Sequence, residues 1–208
     1  MPPTTAPSQL LDPISAAAVD AAIAADTSGE WSPDPFEHRT HGYPIARRRA
    51  ELLYVLAHAT GATRIVEFAT SIGVSTIHLA AAVRDNGGGI VVGSELIADK
   101  VAAARANLAA AGLDGYVDVR EGDARHTLGD VGGPIDLFLL DGWPSDTSPS
   151  LDRQVLDLVL PQFRPGTLLA DDNGQADVLD LLRDPSSGFR SVTLGDDRDA
   201  LELAVYVG

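Results

Sequence analysis

Two short apolar stretches of the chain, Ile135 to Leu140 and Thr167 to Ala170, run straight into acid. Asp141 follows the first, and Asp171, Asp172 and Asn173 follow the second. Carboxylate and amide oxygens are the ligands of hard divalent cations, and in an open parallel sheet ligands bind outside the carboxyl ends of the strands. Adjacent strand ends of this kind bring three oxygen ligands around one ion. Asp and Asn also begin turns and cap helices, which is the competing explanation.

A second constellation lies upstream. Residues Ile65 to Ser75 read as a buried strand, a tight turn of small residues and a helix start. Small side chains at Ala69, Ser71 and Gly73 let a ligand approach the backbone, and the helix start offers free N–H groups to a carboxylate or polar tail. Glu95, after Gly93-Ser94, is placed to accept both hydroxyls of a ribose. Asp123, in Gly122-Asp123-Ala124, is placed to accept an adenine amino group while a backbone amide meets the ring nitrogen. Any one of these acids is explained as a helix cap. Acids at four successive strand ends point instead to a ligand crevice.

These residues need a scaffold, and from Arg64 onward strand-like and helix-like segments alternate, as in parallel sheets with crossover helices. Seven strands are expected: Arg64 to Phe68, Gly89 to Ser94, Tyr116 to Arg120, Pro134 to Leu140, Thr167 to Ala170, Phe189 to Leu194 and Leu201 to Val207. Helices are expected over Val74 to Arg84, Ala98 to Ala111, Asp123 to Gly129, Leu151 to Phe163 and Gln175 to Leu182. Gly195 to Asp199 is long enough only for a hairpin turn, so the last two strands run antiparallel. Residues 1–43 read as an N-terminal region: a proline-bearing arm, a helix from near Ser15, and a lid-like loop from Trp31 to Tyr43 that carries His38 and His41. A helix from Ile45 to Ala59 opens the main domain, residues 44–208.

Composition narrows the partners. The chain has 208 residues, enough for one good core, and its 15 basic and 30 acidic side chains give a net charge of −15. Such a charge repels nucleic acid and anionic membrane surfaces. No run approaches the roughly 18 to 20 apolar residues of a membrane span, and Met1-Pro2-Pro3 lacks the start of a secretory signal. A cytoplasmic protein is expected. The absence of cysteine removes disulfides, thiolate metal sites and cysteine nucleophiles.

The motifs EFATSIGVS (67–75), GSEL (93–96), GDA (122–124), IDLFLLDGW (135–143), LLADDN (168–173) and LELAVYVG (201–208) occur in this order and spacing. In these, the chain over residues 43–208 resembles the class I S-adenosylmethionine-dependent methyltransferases, and among them the small cation-dependent O-methyltransferases similar to catechol and caffeoyl-CoA O-methyltransferases. The resemblance implies an α/β fold, a Rossmann-like doubly wound seven-stranded sheet, mostly parallel with a C-terminal antiparallel hairpin and helices on both faces. It implies S-adenosylmethionine as cofactor, with Glu95 on the ribose and Leu96 beside it. Ala69, Ser71 and Ser75 would line the methionine end, Glu67 and Gly73 would shape the loop, and Ile45 would approach from the preceding helix. Asp123, Ala124 and Trp143 would surround the adenine, with Asp141 at the edge of the same site. Asp141, Asp172 and Asn173 match the metal ligands, usually Mg2+, which leaves Asp171 as a neighbour.

Two departures stand out. Ala69 replaces the family's first loop glycine, which is tolerable only with a negative φ. Pro144 stands where catechol-type relatives carry a lysine general base, and a proline takes no proton. Either the metal alone lowers the acceptor pKa enough, or another base substitutes, with His38 and His41 of the lid as the candidates. The expected activity is divalent-metal-dependent transfer of a methyl group from S-adenosylmethionine to a hydroxyl of a small, aromatic, catechol-like molecule. Two alternatives remain: a metal-independent methyltransferase with another acceptor, and a non-catalytic S-adenosylmethionine-binding protein. The N-terminal helices serve either as a lid or as the contact of a homodimer.

Overall fold

The computed structural model describes residues 10–26, 32–39, 41–195 and 200–208. Seven strands form one sheet: β1 (Arg64–Phe68), β2 (Ile90–Glu95), β3 (Val117–Glu121), β4 (Ile135–Leu140), β5 (Phe163–Asp171), β6 (Phe189–Leu194) and β7 (Leu201–Tyr206). Their spatial order is β3-β2-β1-β4-β5-β7-β6. The first five strands are parallel, whereas β7 runs antiparallel to both β5 and β6. The order reverses between β1 and β4, which opens a crevice at their carboxyl ends.

Among the described residues seven α-helices accompany the sheet: α1 (Pro13–Ala25), α2 (Arg47–Ala59), α3 (Val74–Asp85), α4 (Ala98–Ala110), α5 (Ala124–Thr127), α6 (Leu151–Val159) and α7 (Ala176–Arg183). Alternate strand residues point to opposite faces, so each buried strand feeds two cores. Ile65, Leu137 and Leu139 pack with Val19, Leu53, Ile77 and Leu108 from α1 to α4. Val66, Phe138 and Leu140 pack on the other face with Val155, Val159, Val178 and Leu182 from α6 and α7. Helices therefore cover both faces, as expected.

Register decides where the functional residues land. Phe68 lies opposite Ser94 and Leu140, and Leu140 lies opposite Asp171. The strands thus end in one row, and the residue after each emerges along the same edge.

The element bounds shift in places for local reasons. β5 begins at Phe163 rather than Thr167, because its register slips between Ile135 and Leu137 and accommodates Pro165 and Gly166. α6 ends at Val159, and Pro161 lies in the 3-10 turn Leu160–Gln162 that follows. α5 is a single turn, started by the side chain of Asp123, which accepts the Arg125 N–H. α2 starts at Arg47, two residues later than expected. The first nine residues of the arm, Trp31 and Thr40 of the lid and residues 196–199 of the hairpin turn lie outside the described residues. Among the described residues no helix is long and apolar enough to cross a membrane.

Candidate active site

The loop after β1 turns through three left-handed residues, Ala69 (φ 68°), Ser71 (φ 50°) and Gly73 (φ 88°). The expectation of a negative φ at Ala69 is therefore wrong. The loop keeps its shape because the N–H groups of Ala69 and Thr70 both donate to the Ser94 carbonyl at 3.0 Å. A methyl side chain in this region costs about 1 kcal/mol. Beneath the loop, Glu67 is fully buried and accepts the hydroxyls of Ser75 and Thr76. Burial pushes its carboxyl up, against the pull of Ser75 and Thr76.

Above this loop opens a cavity of about 440 Å³. Of the residues expected at the cofactor and metal sites, Ile45, Ala69, Ser71, Glu95, Leu96, Asp123, Ala124, Asp141, Trp143, Asp172 and Asn173 all line it. Glu67, Gly73 and Ser75 are not part of this lining. Ser75 was expected to line the methionine end, but its hydroxyl is committed to Glu67, so its contribution is to the helix start. His41 also lies outside the lining, with its ring 6.2 Å from that of His38. His38 is buried, bonded to the Ser32 N–H at 2.7 Å and 3.3 Å from the Tyr43 hydroxyl. It holds the lid together.

Glu95 is the best-oriented acid. Its two carboxylate oxygens accept the Ser71 and Ile97 N–H groups, each at 2.8 Å. An anionic carboxylate oxygen has more than one lone pair, so both can still accept a hydroxyl from the cavity. Asp123 lines the cavity too, but it is engaged by Arg125, whose side chain holds its carboxyl below the usual range. Its role as helix cap is thus realised. Trp143 is fixed from above: its indole N–H donates to the Pro33 carbonyl at 2.9 Å, and its ring packs 5.2 Å from His38 and 5.7 Å from Tyr43.

At the other end of the cavity the acids of β4 and β5 meet. The Asn173 amide donates to Asp141 Oδ1 at 2.9 Å and to the Gly142 carbonyl at 2.6 Å. Arg49 of α2 donates to Asp172 Oδ1. Burial drives the Asp141 carboxyl well above the usual carboxylate range, and Asp172, Glu67 and Asp152 add to the rise while Arg49 opposes it. Asp171 turns inward, accepting the Asn173 and Gly174 N–H groups, and burial raises it to about 6. It is a turn former and not a cavity ligand.

Among the described residues no three His, Cys, Asp or Glu side chains cluster so as to hold a metal. The candidate set has two carboxylates and one amide. These are hard oxygen donors, and the carboxylates around Asp141 outnumber the single guanidinium that offsets them. Asp141, Asp172 and Asn173 therefore fit a hard divalent cation in donor type and in charge.

Three residues of the site escape the motif reading. Arg49 and Lys100 reach it from helices on long side chains. Lys100 carried a signal, since it is the sole lysine of the sequence. Asp152 carried none: it is 1% exposed in α6, neither carboxylate oxygen has a hydrogen-bond partner, and burial raises it to about 7. A Cβ at Gly142 would overlap its Oδ1, so glycine is required there.

Comparison with known proteins agrees with this geometry. A family model described as a methyltransferase domain matches residues 66–173. A catechol O-methyltransferase of Niastella koreensis is 32% identical over 133 residues, 62% of this chain. That match spans 57% of the relative's own length. The crystal structure of cofactor-bound Rv0187 from MTB shares 26% identity, covers 94% of this chain and 90% of its own, and superposes with a TM-score of 0.71. TomG, an O-methyltransferase of Streptomyces achromogenes in complex with SAM, shares the fold at 24% identity, with a TM-score of 0.67 over 92% of this chain and 90% of its own. With a family match across just over half of its length, and the sheet order and crevice described above, the chain belongs to the methyltransferase-domain family and is a class I S-adenosylmethionine-dependent methyltransferase domain.

Proposed function

We propose that the protein moves a methyl group from S-adenosylmethionine to a hydroxyl oxygen of a small, aromatic, catechol-like molecule, with a divalent cation such as Mg2+ at Asp141, Asp172 and Asn173. The observation that carries this reading is the convergence of Glu95 and that oxygen set on one cavity. The name of the Niastella koreensis relative agrees with it. The net charge of −15 argues against nucleic acid or an anionic membrane as partner.

Methyl transfer from a sulfonium is an in-line displacement. A bond forms from the acceptor oxygen to the methyl carbon as the carbon–sulfur bond breaks, the sulfonium becomes a thioether, and the hydroxyl proton leaves. Glu95 would orient the ribose, and the left-handed loop would let the donor lie against its backbone. Tyr43, Pro44 and Trp143, all in the lining, would exclude water from the acceptor. A divalent cation, when bound, stabilises the acceptor as its anion. Pro144 lines the cavity and holds no proton. With no lysine at this position, the acceptor hydroxyl would give up its proton to solvent before the site closes over it, and the rate would follow acceptor ionisation.

One observation favours a second reading. Arg49 already supplies positive charge to Asp172, as a metal-independent enzyme would require. Incubation with methyl-labelled S-adenosylmethionine and catechol, with and without chelator, decides between them. Methylated catechol that vanishes with chelator and returns with Mg2+ supports the cation. Transfer that ignores chelator leaves the guanidinium, and donor binding without transfer to any hydroxylated aromatic contradicts catalysis.

A further inference from the structure

Every basic residue of the chain but one is arginine, and the exception, Lys100, is buried in the site. It stands on the first turn of α4, is 5% exposed and lines the cavity. Its Nζ lies 5.7 Å from the centroid of the Trp143 ring. The sheet order gives this contact its meaning. α4 follows β2, Trp143 follows β4, and β1 with its left-handed loop lies between those two strands. Two strand intervals amount to about 10 Å, so Lys100 reaches across the mouth of the loop from one wall of the crevice to the other.

The ammonium is held loosely. Among the described residues it makes no hydrogen bond or ion pair; the carboxylates of Glu95 and Asp26 attract it from a distance, and the Trp143 face adds a cation–π contact. Burial lowers its pKa against the pull of those two carboxylates. A charge that has lost its water without gaining hydrogen bonds is easily returned to solvent.

We propose that Lys100 is a latch on the cofactor crevice: its ammonium, held against the Trp143 face, narrows the crevice on the side of Glu95, and the nucleoside of the methyl donor seats fully only when this side chain swings out. The inference rests on the donor-site reading of the cavity. On entry, Glu95 exchanges the ammonium for ribose hydroxyls, Trp143 exchanges a cation for the adenine edge, and Lys100 regains its hydration. A lysine suits this movement, because its flexible stem carries a point charge and leaves no bidentate contact behind, as a guanidinium would. The latched population lowers the apparent donor affinity by the fraction of molecules that are open.

The test combines calorimetric titration of S-adenosylhomocysteine into the wild type, Lys100→Met and Lys100→Arg with NMR of protein carrying [ε-13C]lysine, in which the sole lysine gives one Cε resonance. Lys100→Met is expected to bind about tenfold tighter, the factor for a latch open about a tenth of the time, and Lys100→Arg no tighter than wild type. The Cε resonance is expected upfield in the free protein, under the Trp143 ring, and at the position of a solvated lysine on saturation. Weaker binding by Lys100→Met, or a resonance that stays upfield in the saturated complex, overturns the latch and makes Lys100 a ligand of the donor. Absence of binding in both wild type and Lys100→Met overturns the donor-site reading itself, and the latch with it.

Discussion

Arg49, on the first turn of α2, donates a hydrogen bond to Oδ1 of Asp172, the residue that follows β5. The two side chains are only 16% and 11% exposed. One ion pair therefore ties the helix that follows the lid to the strand end that carries Asp172 and Asn173. It also sets the local charge, since Asp172 in turn raises Asp141.

Arg49→Met removes this pair and takes one positive charge away from the neighbouring carboxyls of Asp172 and Asp141. Breaking one side of a buried pair costs 3–5 kcal/mol in general, and the partial exposure here reduces this to about 2 kcal/mol. Thermal denaturation is expected to show a lower Tm, and millimolar Mg2+ to recover part of the loss in the variant. An unchanged Tm would show that the pair holds nothing.

Ala69 occupies a left-handed conformation that glycine adopts freely. Ala69→Gly is expected to stabilise the protein by about 1 kcal/mol, a rise of about 2–4 °C in Tm for a chain of this size. A fall in urea midpoint would mean that the Ala69 methyl makes a contact worth more than the strain.

Asp152 and Asp171 link stability to pH. Their folded-state values of about 7 and about 6 lie above the ordinary 3.8, so between those limits the folded protein holds protons that the unfolded chain has released. Unfolding free energy therefore falls as pH rises through that window, and the loss is complete above it. Asp152→Asn removes its share. From about pH 5 to about pH 7 the share is at most about 3 kcal/mol at 1.36 kcal/mol per unit, and relaxation around the group leaves about 2 kcal/mol. Urea titrations at about pH 5 and about pH 8 should show the variant gaining more over wild type at the higher pH. Equal gains at both would refute the linkage.

The strands and the edge they share were legible because buried parallel strands read as apolar runs and because acids and glycines punctuate their ends. Glu95 and Asp141 could be placed beside one cavity for that reason. The left-handed turn at Ala69 was not legible, since alanine gives no sign of a positive φ; the Ser94 carbonyl imposes it from a neighbouring strand. The Ser75 hydroxyl turns to Glu67 of the preceding strand, a contact that depends on how α3 packs on β1. Arg49, Lys100 and Asp152 enter the site from helix faces, and only tertiary packing determines where such side chains end.

The central claim is that the cavity above Ala69 to Gly73 is a methyl-donor site read by Glu95. Isothermal titration of S-adenosylhomocysteine into the wild type and Glu95→Gln tests it most directly, with denaturation midpoints as a control for folding. One molecule bound per chain, and an affinity at least about tenfold weaker in a folded Glu95→Gln, as expected when a charged acceptor of two hydroxyls is lost, is the predicted result. No binding to the wild type, or equal affinity in the two proteins, would contradict it.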